Sequence, residues 1–317
     1  MNMCRDAGKA PPLPVVVPVY GRDDVFSIIE TLRSQEYASS LRFFVIDNGN
    51  GAELSVRLRA LAGKDCETIS FPENRGGSAA YMAGVSAAME RFPEAPYIWL
   101  LDDDAKPDSR TLPALLETME RLLAKNPRTA CVGSTQLSAD DPSRIVECGA
   151  RYILLLGLRI PFFKGRRISE TGRRTRRIDY AAACSLLLNT AAVRECGFWE
   201  DVFIHFDDIE WGLRVKDMGW SSYATTESTV VHPEGGVAKS GSWISYYDSR
   251  NLFWLASKYG RLYVAAARFK DFLKDIRDRL RGNAAGIAYR KLARADFRAG
   301  LRRSRGEVIS AVEGEGA

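Results

Sequence analysis

Asp102, Asp103 and Asp104 stand directly after the apolar run Tyr97-Ile98-Trp99-Leu100-Leu101. A short, bulky, uncharged run reads as a buried strand, so its carboxyl end would deliver three acids together into a crevice at the edge of a sheet. Carboxylates crowded there repel one another, and a hard divalent cation taking oxygen ligands is the usual compensation. A cation that also bridges phosphates fits Mg2+ or Mn2+ better than an all-protein calcium cage. A solvated acidic turn is the alternative. A second acidic pair, Asp207-Asp208, follows Phe203-Ile204-His205-Phe206, where partial desolvation would raise a carboxylate toward the range of a general base able to deprotonate an alcohol. The same acids could instead cap and charge the start of a helix, with Glu210 and Arg214 as an ordinary i,i+4 pair. The only two histidines, His205 and His232, bracket this pair. His232 follows Thr229-Val230-Val231, so it reads as the end of a short strand and suits a neutral imidazole ligand to a metal held by the triplet; a structural histidine is the alternative, and is the reading for His205. Finally, Asn74-Arg75-Gly76-Gly77 opens a helix. Its glycines let backbone approach a ligand, while the helix start and Arg75 attract phosphate.

The elements that must position these residues alternate. Leu13 to Val19 reads as a strand, Asp23 to Gln35 as a helix, and Leu41 to Ile46 as a strand closed by Asp47-Asn48-Gly49. A strand near Glu67 to Phe71, a small-residue helix from Ser78 to Arg91 and the strand Tyr97 to Leu101 repeat the logic, which argues a doubly wound α/β sheet with ligands beyond the strand ends. Ser109 to Lys125 carries leucines at helical spacing, and Ala130 to Gly133 reads as a further strand. Gly157 to Ile178, rich in arginine, is expected as a mobile or partner-facing loop. Ala265 to Arg281 and Ile287 to Arg303 are amphipathic and basic, and the acidic tail from Glu313 is expected to fray.

The 317 residues, 46% hydrophobic and 27% charged, suit a soluble globular enzyme. A net charge of +5 is unevenly spread, crowded into Lys164 to Arg177 and Lys270 to Arg305, so a uniformly basic nucleic-acid binder is not indicated. The six cysteines form no Cys-x-x-Cys pair, which disfavours zinc and disulfide frameworks. No uncharged run reaches the roughly 18 residues of a membrane-spanning helix, and no apolar signal core precedes Pro11; a cytoplasmic protein is expected. There is no GxxxxGK[ST] phosphate loop, and no GxGxxG follows the first strand.

Taken in order, the chain resembles the inverting glycosyltransferases of family 2, which have the GT-A fold. The matching pieces are Val15-Val16-Val17-Pro18-Val19-Tyr20, Val45-Ile46-Asp47-Asn48-Gly49, Asn74-Arg75-Gly76-Gly77, Leu100-Leu101-Asp102-Asp103-Asp104, Gly197-Phe198-Trp199, Phe206-Asp207-Asp208-Ile209-Glu210 and Val231-His232. With Tyr246-Tyr247-Asp248-Ser249-Arg250-Asn251, they look most like bacterial galactofuranosyl- and rhamnosyltransferases. The resemblance implies a GT-A-type doubly wound mixed sheet over residues 13–260, preceded by a tail (1–12) and followed by a basic helical C-terminal extension (261–317). It implies a UDP- or dTDP-sugar donor contacted by Asp47, Arg75, Gly76, Gly77, Asp102 and Asp103, with Asp103 orienting the sugar. Asp102, Asp104 and His232 would hold Mg2+ or Mn2+, and Asp208 would be the catalytic base. Trp199, Asp207 and Glu210 are expected to meet the acceptor, a cell-surface glycan or its lipid-linked precursor. The Gln-x-x-Arg-Trp motif and membrane spans of processive members are absent from the sequence.

Two further classes stay open at this level. A sugar nucleotidyltransferase would ordinarily carry a glycine-rich, lysine-containing loop after the first strand, unlike Pro18-Val19-Tyr20-Gly21-Arg22. A non-catalytic sugar-nucleotide-binding assembly subunit is the other. The basic segments could meet acceptor phosphates, rest peripherally on the inner face of an anionic membrane, or form a homo-oligomer contact.

Overall fold

The valine-rich run near the N-terminus forms β1 (Leu13–Val19), buried along nearly its whole length, as a strand covered on both faces must be. The computed structural model describes residues 11–233 and 243–313; most of the expected N-terminal tail, residues 234–242 and the last four residues of the acidic tail lie outside them. After β1 come α1 (Asp24–Arg33), β2 (Leu41–Asn48), α2 (Ala52–Arg59), β3 (Cys66–Phe71), α3 (Gly76–Arg91) and β4 (Tyr97–Leu101). These strands run parallel in the order β3-β2-β1-β4. The order reverses direction between β1 and β4, and such a switch point opens a crevice beyond the strands' carboxyl ends.

The chain continues through β5 (Lys106–Pro107), α4 (Thr111–Leu123), β6 (Thr129–Ser138), β7 (Ile145–Glu147), β8 (Ala150–Ile153), β9 (Leu158–Pro161), β10 (Thr175–Ile178), β11 (Ser185–Asn189), α5 (Thr190–Cys196), α6 (Asp207–Asp217) and β12 (Ser221–His232). The full order is β10-β12-β6-β11-β4-β1-β2-β3, with β11 antiparallel between β4 and β6 and β12 parallel to β6. The sheet is therefore mixed. Successive side chains point to opposite faces: Val16, Ile98 and Leu100 enter one core beneath α3, while Val15, Val17, Trp99 and Leu101 enter the other with α1 and α4. Burying each such side chain contributes about 1.5–3 kcal/mol. Helix α3 lies unusually close to β1, because a Cβ on Gly84 would stand 2.2 Å from Val16 Cγ1. Its run of glycine, alanine and serine is what permits that approach.

Two expectations fail here. Residues 157–178 are not a loose loop: β9 pairs with β8 in a hairpin, and β10 forms an edge of the main sheet against β12. Of the arginines that suggested a loop, Arg173 pairs with Glu227 of β12, which Arg121 of α4 also engages, and Arg176 lies over the rings of Phe162 and Phe163. Charged side chains on an edge strand also discourage further strand pairing. The short strand expected before His232 is instead twelve residues long; a register shift between Thr225 and Thr229 breaks its regularity.

The chain closes with α7 (Ile244–Tyr259), α8 (Arg261–Leu280), α9 (Ala284–Ala299) and α10 (Arg305–Glu313). Helix α7 packs on both α8 and α9. A cluster of Tyr246, Tyr247, Trp243, Tyr289 and Val308 joins these helices to Phe203. No described helix is long and apolar enough to cross a membrane.

Candidate active site

The ends of β1, β2, β4 and β12 and the starts of α3 and α6 meet at the crevice. At the end of β4, Asp102 and Asp104 approach His232 at the end of β12. His232 Nε2 stands 3.1 Å from Asp104 Oδ1 and 3.5 Å from Asp102 Oδ2, and one ligand atom from each of the three lies within 4.8 Å of the others. Strand pairing brings them together: β12 runs alongside β6 to its end, with His232 level with Ser138, and Val230 and Val231 pair with Pro107 and Lys106 just after the triplet. Burial works to lower the imidazole pKa, but hydrogen bonds and charge from Asp102 and Asp104 override it and hold His232 up at about 10. A proton on His232 is thus favoured by the two carboxylates that flank it. Two carboxylates and an imidazole converging on one point suit a divalent ion such as Mg2+ or Mn2+.

Each acid of the triplet has a different partner. Tyr81, reaching from α3, donates its hydroxyl to Asp102 Oδ1 at 2.6 Å. The Tyr20 amide donates to Asp103 Oδ2 at 3.0 Å; burial, with the charges of Asp102 and Asp104, pushes Asp103 up to about 7. Arg22 pairs with Asp104 at 2.8 Å and lies 3.9 Å from Asp103. Burial alone would raise Asp104, yet His232 and Arg22 hold its carboxyl below the usual range. Sequence reasoning assigned no role to Tyr81 or Arg22. A cation immediately after the first strand of a switch-point pair was a usable signal for Arg22; a lone tyrosine in a small-residue helix was none for Tyr81.

On the other side of the crevice, Asp47 at the end of β2 is buried, and its Oδ1 accepts from the amide (3.1 Å) and side chain (2.7 Å) of Asn50. Asn50 also donates to Val19 O and accepts from the Gly21 amide, so it ties the loop after β1 to the loop after β2. Asn48 does the same for the next loop: its Oδ1 accepts from the Arg75 amide at 2.9 Å, and its Nδ2 donates to Gly76 O. The Arg75 guanidinium lies over Phe71, exposed at the mouth. Gly76 has φ +84, and a Cβ there would stand 2.1 Å from Phe203 O. Gly77 faces open space.

That contact with Phe203 links the loop before α3 to the start of α6. Phe203, His205 and Phe206 all have positive φ, a conformation costly for side-chain-bearing residues. It persists because α7 grips the segment. Asn251 donates to the carbonyls of Val202, Ile204 and His205 at 2.7–3.1 Å, Arg250 donates to Val202 O, and Asp248 meets His205 at 2.8 Å. The strained loop ends at Asp207 and Asp208. Ser78 donates to Asp207 Oδ2 at 2.7 Å, and Asp208 Oδ1 accepts from the Ile209 amide at 2.7 Å. Burial, then the neighbouring Asp207 and Glu147, raise Asp208 well above the ordinary carboxylate range. The acids also sit in the first turn of α6, where they favour the helix dipole, but neither caps the helix: its N-cap is Phe206.

Asp208 shares a small cavity with Tyr180, Trp199 and Trp211. Trp199 is buried, stacked on Phe198 and edge-on to Tyr81 at 5.2 Å, so Tyr81 spans from the triplet to the wall beside Asp208. Glu210 is buried and engaged by Arg214 and Lys258, both at 2.9 Å. Sequence reasoning passed over Glu147, Arg159 and Tyr180. Glu147 is buried, with Oε1 unpartnered among the described residues and its other oxygen 3.8 Å from Arg159, which also interacts with the Tyr180 hydroxyl. An acid inside the apolar Ile145-Val146-Glu147-Cys148 was the available sign.

The fold has solved counterparts. GalNAc-T7, crystallised with UDP, GalNAc and Mn2+, is 15% identical with TM-score 0.55 over 84% of this chain, which spans 54% of that one. TarS 1-349 of S. aureus is 11% identical with TM-score 0.50, covering 88% of this chain and 71% of that one. The chain thus spans about half the length of the first of these proteins, and at such identities the likeness is one of fold, the GT-A type. No curated protein matches the sequence. Asp208 and His232 lie beyond the segment that carries a sequence match: residues 15–169, with Asp47, the Asn74–Gly77 loop and the acidic triplet, match the family model described as Glycosyl transferase family 2.

Proposed function

We propose that the protein is an inverting, metal-dependent glycosyltransferase. It moves a sugar, galactofuranose or rhamnose in the favoured reading, from a UDP- or dTDP-sugar to a hydroxyl of a cell-surface glycan or its lipid-linked precursor, in the cytoplasm. The observation that carries this reading is the pairing of two unlike acidic groups across one crevice: the Asp102–Asp104–His232 cluster at the strand ends, and a desolvated Asp208 at a helix start. The match to Glycosyl transferase family 2 over residues 15–169 supports it. A GT-A neighbour holding UDP and Mn2+ supports the donor class.

In this mechanism Asp47 and Arg75 hold the nucleotide, and Gly76 and Gly77 let backbone approach it. Asp102, Asp104 and His232 would hold Mg2+ or Mn2+, which supplies positive charge to the diphosphate leaving group. Asp103 orients the donor sugar. Trp199 and the Asp207–Glu210 turn border the acceptor side. Asp208 takes the proton from the acceptor hydroxyl as that oxygen bonds to the anomeric carbon, whose bond to the diphosphate breaks on the opposite face. One displacement inverts the configuration.

A panel of UDP- and dTDP-sugars, with and without Mn2+, tests the reading by nucleotide diphosphate release and product mass. Transfer with one donor, lost about 100-fold or more in Asp208→Asn, is the expected result. Unchanged turnover in that variant would remove Asp208 from the base role, and donor binding indifferent to metal would remove the cluster's role. Release of pyrophosphate from a nucleoside triphosphate and a sugar phosphate would favour a nucleotidyltransferase instead.

A further inference from the structure

Fifteen large hydrophobic side chains are exposed among the described residues, and eleven of them lie on two neighbouring segments, residues 153–160 and α8. On α8 the exposed residues are Leu262, Phe269, Phe272, Leu273, Ile276 and Leu280, with Phe269 62% and Leu280 84% exposed. At about 100° per residue they occupy one arc of about 120°, with Ala265 and Ala266 filling the remaining places, and no charged residue falls inside it. Cations flank the arc on both sides: Arg261, Arg268 and Arg279 along one edge, Lys270, Lys274 and Arg277 along the other.

The acids of α8 point the other way. Asp271 and Asp278 are buried, and with Asp275 they pair with Arg290 and Arg294 of α9. Every negative charge of the helix is thus turned inward and matched, leaving an outward surface that is apolar in the middle and positive at both rims. The hairpin tip continues it. Residues 154–156 pack against α8, Lys270 donates to Gly157 O, and Leu155, Leu156, Leu158 and Ile160 stand exposed beside the helix.

We propose that this surface seats the protein on an anionic phospholipid bilayer, with α8 lying in the interface plane and the β8–β9 tip entering beside it. A helix of this pattern buries its apolar face at the acyl boundary while long cationic side chains reach back to the headgroups. Charge decides between this occupant and a second copy of the chain. Two such faces docked about a two-fold axis would set cationic rim against cationic rim, whereas anionic headgroups neutralise both. The bilayer face adjoins the catalytic crevice, since Tyr152 of the hairpin meets Phe206, two residues before Asp208, edge-on at 6.4 Å.

Flotation of the full chain with phosphatidylcholine vesicles, with and without phosphatidylglycerol, tests the proposal without any sugar donor, so its outcome is independent of the enzymatic reading. The chain is expected to float with the anionic vesicles, and Phe269→Glu/Ile276→Glu to reduce that partition about tenfold or more with an unchanged melting temperature, both sites being exposed. Arg268→Gln/Lys274→Gln should lose the preference for anionic lipid while keeping the apolar ridge. No wild-type flotation, or flotation unaffected by either double variant, overturns the proposal. A wild-type dimer by light scattering that Phe269→Glu/Ile276→Glu splits, with no lipid binding, gives the face to a second copy and overturns it as well.

Discussion

Asp208 owes its raised pKa first to burial and then to Asp207 and Glu147, and of these Glu147 is the one that can be altered without touching the crevice. Burial pushes the Glu147 carboxyl itself upward, only partly offset by Arg159 and Lys164. Glu147→Gln removes that negative charge and keeps the shape. The acid limb of the rate profile is expected to move to lower pH by about one unit. The stability effect has a definite sign. A carboxyl whose folded pKa is raised binds its proton more tightly folded than unfolded, so stability is fullest at low pH and declines as pH rises from the unfolded value through the folded one. The variant lacks the decline due to Glu147, so its melting temperature should gain on the wild type between pH 5 and pH 8. An unshifted acid limb would leave Glu147 a merely structural residue.

At the scale of elements, the junction of α3 with the loop before α6 is the contact that makes two half-sites into one. Gly76→Ala must keep φ +84 with a Cβ 2.1 Å from Phe203 O, so either the start of α3 or the strained loop moves. A loss of about 1–3 kcal/mol in stability and weakened nucleotide binding are expected together by thermal melting and titration. Gly77→Ala, whose Cβ meets nothing within the protein, serves as the near-neutral control for stability alone. The elements themselves were legible: strands ending in acid or amide residues, joined by helices, gave a doubly wound α/β sheet with ligands beyond the strand ends from hydrophobic pattern alone. What the pattern hid was long-range. Arg173 read as part of a loop because its partner, Glu227, lies 54 residues on in a strand whose length was itself underestimated. Likewise nothing local to Tyr81 announces that it reaches Asp102.

Across the whole molecule, the crevice balances its charge internally. Arg22 and a protonated His232 face three carboxylates, and this pairing stabilises the fold fully below the usual imidazole value of 6.5, fading as pH rises toward about 10. A divalent ion must displace that proton, so metal binding and acid compete. Saturating Mn2+ at a hundredfold excess over its Kd should add about 2.7 kcal/mol of stability, read as a rise in melting temperature. At fixed Mn2+ the rise should be larger at pH 8 than at pH 6, and lost in Asp104→Asn. A pH-independent rise that survives Asp104→Asn would place the ion elsewhere.

The grip of α7 on residues 202–206 has a consequence in time. The donors that hold the strained turn are Arg250 and Asn251, 46 to 49 residues downstream of the carbonyls they bind. During synthesis, β1 to β4 and the loops around Asp47 and Asn74 can assemble from chain already made, whereas the turn that aims Asp208 has nothing to hold it until α7 emerges. A growing chain thus completes the loops around Asp47 and Asn74 before it can fix the turn that carries Asp208.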